Sequence, residues 1–345
     1  MTLLNRQWLL ARRPGGHIVP EDFEYREQAM AMPELKPGEL LVKSLLFRCT
    51  PAMRTWMKET SQIAPPMAIG KPVTGSSAAQ VIASANRDYP VGTVVSASTG
   101  WQDYAVIRPP AKADPLFKKP DGISVVDFQG VYGVNSITAY FGLLKVGEPK
   151  AGETLVVSGA AGSTGAVAAQ IGKIAGCRVI GIAGGAKKCQ WLLDDCKLDG
   201  VIDYKVESIE DRLKALCPEG VNVFFDNVGG ETLDAVIENM ARFGRIALCG
   251  QISSYDEGNA LAPGPRNMMR VIYWRLKLQG FLAFDYPDQL NKAMADLRQW
   301  RERGLLVTRD DIHHGFALLP RTFMRLFDGS NFGTLLVRND DAEVS

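Results

Sequence analysis

The sequence predicts an α/β protein in which a doubly wound parallel sheet is inserted into a β-rich domain. Three observations lead there. From Thr154 to Cys249, short apolar runs alternate with segments of helical length. The first 130 residues instead hold short apolar runs broken by Pro and Gly. A last β run, Thr334 to Val337, follows a helical pattern near the end of the chain. Alternating strands and helices build a parallel sheet with right-handed crossovers, because each helix must return over a sheet face.

In the first part, Leu40 to Phe47 and Gly92 to Ala97 read as strands. Pro37-Gly38, Ala64-Pro65-Pro66 and Tyr89-Pro90 are turn signals at irregular spacing. This pattern predicts a twisted, mainly antiparallel, barrel-like domain. The character changes near Gly133. Five strands are then expected at Thr154–Ser158, Arg178–Ile182, Gly200–Asp203, Val221–Phe225 and Gly244–Cys249. Helices are expected between them at Ser163–Ala175, Ala186–Cys196, Ser208–Cys217 and Thr232–Met240. Arg321 to Phe327 reads as a further helix, and the strand after it is expected to return to the first domain. Residues 1–130 with 308–345 then form the β-rich domain, and residues 131–307 the inserted one.

Composition removes several classes of function. Over 345 residues, Lys plus Arg number 39 and Asp plus Glu 38, a formal net charge of +1. That balance argues against an extended polyanion-binding surface, so nucleic acid is not an expected partner. The six cysteines, at 49, 177, 189, 196, 217 and 249, form no C-x-x-C pair. With His17 and the adjacent His313-His314 as the other soft ligands, no metal site is expected. No G-x-S-x-G motif is present to support serine hydrolysis. No apolar stretch approaches the roughly 18 residues of a membrane span. The apolar patch Trp8–Ala11 is too short for a signal peptide. The expectation is a cytoplasmic protein with no membrane partner.

The strongest motif is Val156-Val157-Ser158-Gly159-Ala160-Ala161-Gly162-Ser163-Thr164-Gly165, set between a strand and a helix. Against G-x-G-x-x-G it carries Ala160, Gly162 and Gly165. Gly162 lets a backbone approach a pyrophosphate, and Gly165 lets the helix pack on the sheet. Unpaired N–H groups at the helix start then hold the phosphate charge. A plain tight turn is the competing reading. A second signal is an absence. Dinucleotide sites that take NAD carry an acid about 20 residues further on, at the end of the second strand. Here that strand ends Ile180-Gly181-Ile182-Ala183-Gly184-Gly185, followed by Lys187 and Lys188. A missing carboxylate plus a cation suits a ribose 2′-phosphate, so the expected cofactor is NADPH.

These residues resemble the zinc-independent medium-chain dehydrogenases/reductases. Within them the chain is most similar to the NADPH-dependent 2-alkenal and double-bond reductases, a group that includes curcumin reductase and the leukotriene B4 12-hydroxydehydrogenase/prostaglandin reductases. The carriers run along essentially the whole chain: Gly100-Trp101-Gln102-Asp103-Tyr104, Thr138-Ala139-Tyr140-Phe141-Gly142-Leu143, Gly152-Glu153-Thr154-Leu155-Val156-Val157, Ala169-Gln170-Ile171-Gly172-Lys173, Asp226-Asn227-Val228-Gly229-Gly230, Cys249-Gly250-Gln251-Ile252-Ser253-Ser254-Tyr255 and Asn331-Phe332-Gly333. The resemblance implies a Rossmann domain inserted in a GroES-like domain. It also implies that Lys188 and Tyr204 contact the 2′-phosphate, and that Gly162, Ser163, Thr164 and Gly165 hold the pyrophosphate. Asn227, Cys249, Gly250, Ser254, Phe281, Leu282, Ala283 and Asn331 would line the rest of the cofactor groove, with Thr138 near the nicotinamide. The zinc ligands of the zinc-dependent relatives have no counterparts in this sequence.

The implied chemistry is reduction of the C=C bond of an α,β-unsaturated carbonyl compound, an enone or enal. Hydride goes to the β-carbon, and an enolate develops on the carbonyl oxygen. Tyr255 matches the tyrosine that donates a hydrogen bond there. A phenol, with an unperturbed pKa of about 10, is a neutral donor at pH 7. A cofactor ribose hydroxyl is the alternative donor. Two segments depart from the family pattern. Thr50-Pro51-Ala52-Met53-Arg54 has Ala52 where a tyrosine is usual, and Gly133-Val134-Asn135-Ser136-Ile137 lacks the usual proline and second glycine. Ala52, Tyr104, Asn135 and Tyr255 are the expected substrate-pocket residues. The departures point to a bulkier, more polar or biosynthetic substrate. A quinone reductase, a non-reductive enzyme on the same scaffold and a purely NADPH-binding relative stay open. A homodimer is expected by resemblance, with Gly244–Cys249 and Met268–Leu282 as a candidate sheet edge.

Overall fold

The computed structural model describes residues 2–59, 65–111, 114, 116–256 and 263–340. The described chain divides into two compact units. The first holds residues up to Gly130, then Tyr255 and Asp256, and the chain from Asp310 onward; the second holds the remainder.

The first unit opens with β1 (Thr2–Leu10) and β2 (Phe23–Ala31), paired antiparallel as a two-stranded sheet. β3 (Leu40–Arg48), β4 (Ser76–Ser84), β5 (Val94–Ala97) and β6 (Tyr104–Ile107) follow. β3 is buried along almost its whole length, as its sequence LLVKSLLFR demands, and it pairs with β4, β6 and a returning C-terminal strand. The core beside it holds Phe47, Met53, Met57, Trp101 and Phe323. The Trp101 ring stacks on Phe23 and meets Phe323 edge-on, each at 5.6 Å between centroids.

The second unit carries β7 (Thr154–Ser158), β8 (Arg178–Ala183), β9 (Gly200–Asp203), β10 (Val221–Asp226), β11 (Met240–Leu248) and β12 (Lys277–Gly280). All pair in parallel, in the order β12-β11-β10-β7-β8-β9. Chain direction along the sheet reverses between β7 and β10. In such sheets this switch point opens a crevice beyond the carboxyl ends of the strands, where ligands bind. Val156, Ile180, Phe224 and Ile246 bury their side chains in the core on this sheet. Helices Ser163–Ile174, Ala186–Asp194, Ile209–Leu216 and Gly230–Glu238 link the strands. Local chemistry sets where they begin: Ser208 caps the third by accepting from the Asp211 N–H.

The chain then returns to the first unit as β13 (Asp310–His314) and β14 (Thr334–Arg338), which pair in parallel, and β14 pairs antiparallel with β3. A polar knot fastens this return. Arg6 donates through Nε to Asp103 Oδ2 at 2.8 Å and through Nη2 to Asn339 Oδ1 at 2.8 Å. Asn339 donates back to Asp103 Oδ1 at 2.7 Å. Both Asp103 and Asn339 are buried.

The parallel sheet and the separate β-rich unit are the architecture that the alternation predicts. Three details differ. β12 is a sixth strand, missed because KLQG is short, polar and only half covered. The fifth strand starts at Met240 rather than Gly244 and lies inside the sheet, so β12 alone forms that edge. Helix Leu290–Glu302 was also missed, although Leu290, Ala293 and Leu297 put a buried stripe on one face. Among the described residues, no helix is long and apolar enough to cross a membrane.

Asp103→Asn should lower unfolding stability by about 2 kcal/mol, because it leaves the Arg6 guanidinium without its charge partner in a mostly buried site. Urea unfolding of the variant checks this, and an unchanged midpoint would show that the knot does not hold the termini.

Candidate functional site

The candidate site of the second unit lies at the carboxyl ends of its strands. After β7 the chain turns at Gly159, which has φ +58, and enters the helix Ser163–Ile174. A Cβ on Gly165 would stand 2.3 Å from the Gly159 carbonyl oxygen, so only glycine closes the helix on the turn. Gly162 occupies the N-cap and offers no side chain to the N–H groups that follow, those of Ser163, Thr164 and Gly165. An open helix start against a close-packed glycine turn fits the pyrophosphate of a dinucleotide.

The loop after β8 supplies the next contact region. Gly184 has no room for a side chain, since a Cβ there would lie 2.7 Å from the Tyr204 ring. Tyr204, half exposed just beyond β9, therefore shields this loop. Asp203 Oδ1 accepts the Gly185 N–H at 2.8 Å and fixes the entry to the next helix. Lys187 is exposed and Lys188 half-buried at that helix start. Between Ala183 and Lys188 there is no carboxylate.

The floor of the crevice hangs on Asp226, which in the sequence stands out only as part of a motif that carries the resemblance. It is fully buried at the end of β10. Its Oδ1 accepts Ser158 Oγ at 2.7 Å and the Val228 N–H at 2.9 Å. Both of its oxygens accept the Gly229 N–H at 3.1 Å. Burial pushes its carboxyl above the usual range, and these donors work against that push. Its carbonyl accepts the N–H groups of Cys249, at 2.8 Å, and Gly250. Asn227 donates its side-chain amide to the Ser158 carbonyl at 2.7 Å. Ser253 Oγ donates to the Val228 carbonyl at 2.6 Å, tying the short helix Ile252–Ser254 to the same turn. Enclosure, and then the Asp226 carboxylate, push the Cys249 thiol up to about 12.

Asn135 and Thr138 lie on the helix Val134–Phe141. The structure brings Asn135 to the glycine loop: its Nδ2 donates to Ser163 Oγ at 2.7 Å. Thr138 donates to the Val134 carbonyl. Phe281 lays its ring over Gly142, where a Cβ would overlap it, and stands 6.1 Å from the Phe225 ring. Leu282 is half exposed and Ala283 buried.

The remaining candidates belong to the first unit. Tyr255 is half-buried in a turn with Asp256. Arg54, whose side chain is wholly buried, donates through Nε to Asp256 Oδ1 at 3.2 Å. Ala52 begins the short helix Ala52–Trp56 that carries Arg54. Asn331 precedes β14, with its N–H on the Arg325 carbonyl. Tyr104 pairs with Lys43 of β3, whereas Ala52 follows the other end of that strand at Arg48. Those two points are five residue steps apart along the strand, at about 3.3 Å each. Burial first, then the Asp103 carboxylate, raises the Tyr104 phenol above its ordinary value. Arg54 and Asp256 were also missed, because a sequence does not reveal which charges are buried together.

Comparison with known proteins places this geometry in a family. Residues 6–114 match the model described as the N-terminal domain of oxidoreductase, and residues 163–299 the model described as zinc-binding dehydrogenase. Among the described residues, no group of three or more His, Cys, Asp or Glu could hold a metal ion. The chain belongs to the medium-chain dehydrogenase/reductase family, in its zinc-independent group. It is 37% identical to the NADPH-dependent curcumin reductase of Escherichia coli, over 97% of this chain and 96% of that protein. It is 36% identical to prostaglandin reductase 1 of Bos taurus, over 96% and 98%. The crystal structure of CurA from Vibrio vulnificus in complex with NADPH superposes with a TM-score of 0.89 at 38% identity, over 97% of this chain and 99% of that one.

Gly165→Ala should cost about 1–3 kcal/mol through overpacking, and Gly162→Ala, with 3.3 Å of room, less than about 1 kcal/mol. Urea unfolding of the two variants separates them. Equal losses would mean that the turn does not close on the helix at Gly165.

Proposed function

We propose that this chain catalyses the NADPH-dependent reduction of the C=C bond of an α,β-unsaturated carbonyl compound. The reading is carried by one observation. A helix start left open for phosphate is followed, after β8, by a run from Ala183 to Lys188 that ends in a cation and holds no carboxylate of its own, with Tyr204 packed on it, in a chain that matches double-bond reductases over nearly its full length.

The residues divide the work. Gly162, Ser163, Thr164 and Gly165 hold the pyrophosphate by their backbone N–H groups. Lys188 and Tyr204 hold the 2′-phosphate, by charge and by a phenol hydrogen bond. Asn227, Cys249, Gly250, Ser254, Phe281, Leu282, Ala283 and Asn331 line the rest of the groove, and Thr138 lies toward the nicotinamide. When bound, the dinucleotide supplies the hydride that reaches the substrate β-carbon. Tyr255 donates a hydrogen bond to the carbonyl oxygen as negative charge develops there. Ala52, in place of a tyrosine, leaves space beside the substrate, whereas Tyr104, opposite Lys43 toward the other end of β3, is not assigned to the same edge. Asn135 reaches substrate indirectly, because its amide already holds Ser163. A bulky or polar enone suits this pocket better than a small enal.

A second copy of the chain is the partner we assign to the free edge of the parallel sheet. Among the described residues, β12 is the last strand on that side of the sheet. Met268, Met269, Ile272 and Tyr273, on the helix just before it, are 49–60% exposed. Light scattering after gel filtration should give twice the chain mass of 37.7 kDa, and a monomer would refute the assignment.

NADPH and NADH consumption against a panel of enals, enones and quinones, with products weighed by mass spectrometry, tests the reaction. The expected product gains two hydrogens across C=C with NADPH. Lys188→Ala should raise KM for NADPH by about tenfold or more while leaving that for NADH little changed. Hydroquinone as the main product would overturn the reading, as would a preference for NADH.

A further inference from the structure

We infer that Arg54 and Asp256 are positioning residues: Arg54 is a buried peg that holds Asp256, and through it fixes the direction of the neighbouring Tyr255. The inference rests on the reading of Tyr255 as the hydrogen-bond donor and deepens it.

The peg is built from inside the first unit. Arg54 lies on a helix of five residues whose neighbours Met53 and Met57 are sunk in the core. Its side chain is 0% exposed, unusual for a guanidinium, which is costly to bury without partners. Its partners lie on two different segments. Nε donates to Asp256 Oδ1 at 3.2 Å, and Nη2 donates to the Gly16 carbonyl at 2.8 Å and the Pro14 carbonyl at 3.4 Å. The second Asp256 oxygen meets His17 Nδ1 at 2.9 Å, from the same N-terminal loop. His17 is 91% exposed, so the anchored partner of Asp256 is Arg54. A Cβ on Gly16 would stand 3.8 Å from the Asp256 carbonyl oxygen, so this loop lies against the turn.

A side chain this constrained has a mechanical consequence. The turn at 255–256 groups with the first unit, and the Asp256 carboxylate is bonded there to Arg54 and to His17. The carboxylate of Asp256 therefore sets where the turn sits, and a hydrogen-bond donor misplaced by even about 1 Å loses much of its effect on a transition state. Ala52 and Arg54 also share one short helix. The residue that replaces the family tyrosine and the peg behind the donor are therefore carried by the same element.

The test is a double-mutant cycle on the best substrate of the panel above, with NADPH binding followed by its fluorescence and folding by thermal melts. Tyr255→Phe and Asp256→Asn should each lower kcat by about tenfold, with NADPH affinity changed less than about twofold. Asp256→Asn added to Tyr255→Phe should cost nothing further, because no donor is left to place. Arg54→Lys should recover part of the rate lost in Arg54→Met, since an ammonium reaches Asp256 but not the loop carbonyls as well. Multiplying losses in the double variant, or an unaffected Asp256→Asn, would overturn the inference and leave Tyr255 as donor. A fully active Tyr255→Phe, or no turnover of any panel member, would overturn the parent reading and this inference with it.

Discussion

The crevice of the parallel sheet depends on one buried carboxylate. Asp226 ends β10 at the point where strand order reverses, and the turns after β7, β10 and β11 are all bonded to it. The cost of burying it is offset by a hydroxyl and backbone N–H groups aimed at it. The arrangement is cooperative in the ordinary sense of polar networks: a donor removed from one turn leaves an acceptor stranded beneath the others. Ser158, at the end of β7, bonds both Asp226 and the Asn227 N–H, and the stretch 249–254 is held by bonds to Asp226 and Val228.

The first unit solves a different problem. The chain leaves it at Gly130, rejoins it briefly at Tyr255 and Asp256 and returns at Asp310, so its sheet must be assembled from distant parts of the sequence. β14 completes the β3 edge, and the Arg6–Asp103–Asn339 knot joins residues more than 300 positions apart. Arg54 and Asp256 repeat the device on a smaller scale, since a charge from one excursion of the chain is captured by a charge from another. Both knots are ionic and mostly buried, which makes their geometry specific even where their net stabilisation is modest.

How much of this was legible in the sequence follows from what side chains announce. β7 to β11 were readable because buried parallel strands are nearly continuous apolar runs, as in Thr154-Leu155-Val156-Val157. β12 was not, because an edge strand covered on one side keeps polar residues such as Lys277 and Gln279. The glycine loop was legible because its glycines fall at the spacing of a dinucleotide loop, and the backbone itself demands the one at Gly165. The missing acid after β8 was legible too, as was Lys188. Asp226, Arg54 and Asp256 were not, since each owes its role to burial and to a partner far away in the chain. Asn135 was placed beside substrate by resemblance, and its bond to Ser163 comes from the facing of two helices that no local pattern encodes.

The claim that matters most is that the protein saturates a carbon–carbon double bond next to a carbonyl. Turnover of an enone with NADPH deuterated at the transferable C4 position, followed by NMR of the product, tests it most directly. The account predicts one deuterium on the former β-carbon and solvent hydrogen on the α-carbon of a saturated ketone. Deuterium on the carbonyl carbon of an allylic alcohol, or none retained in the product, would contradict it.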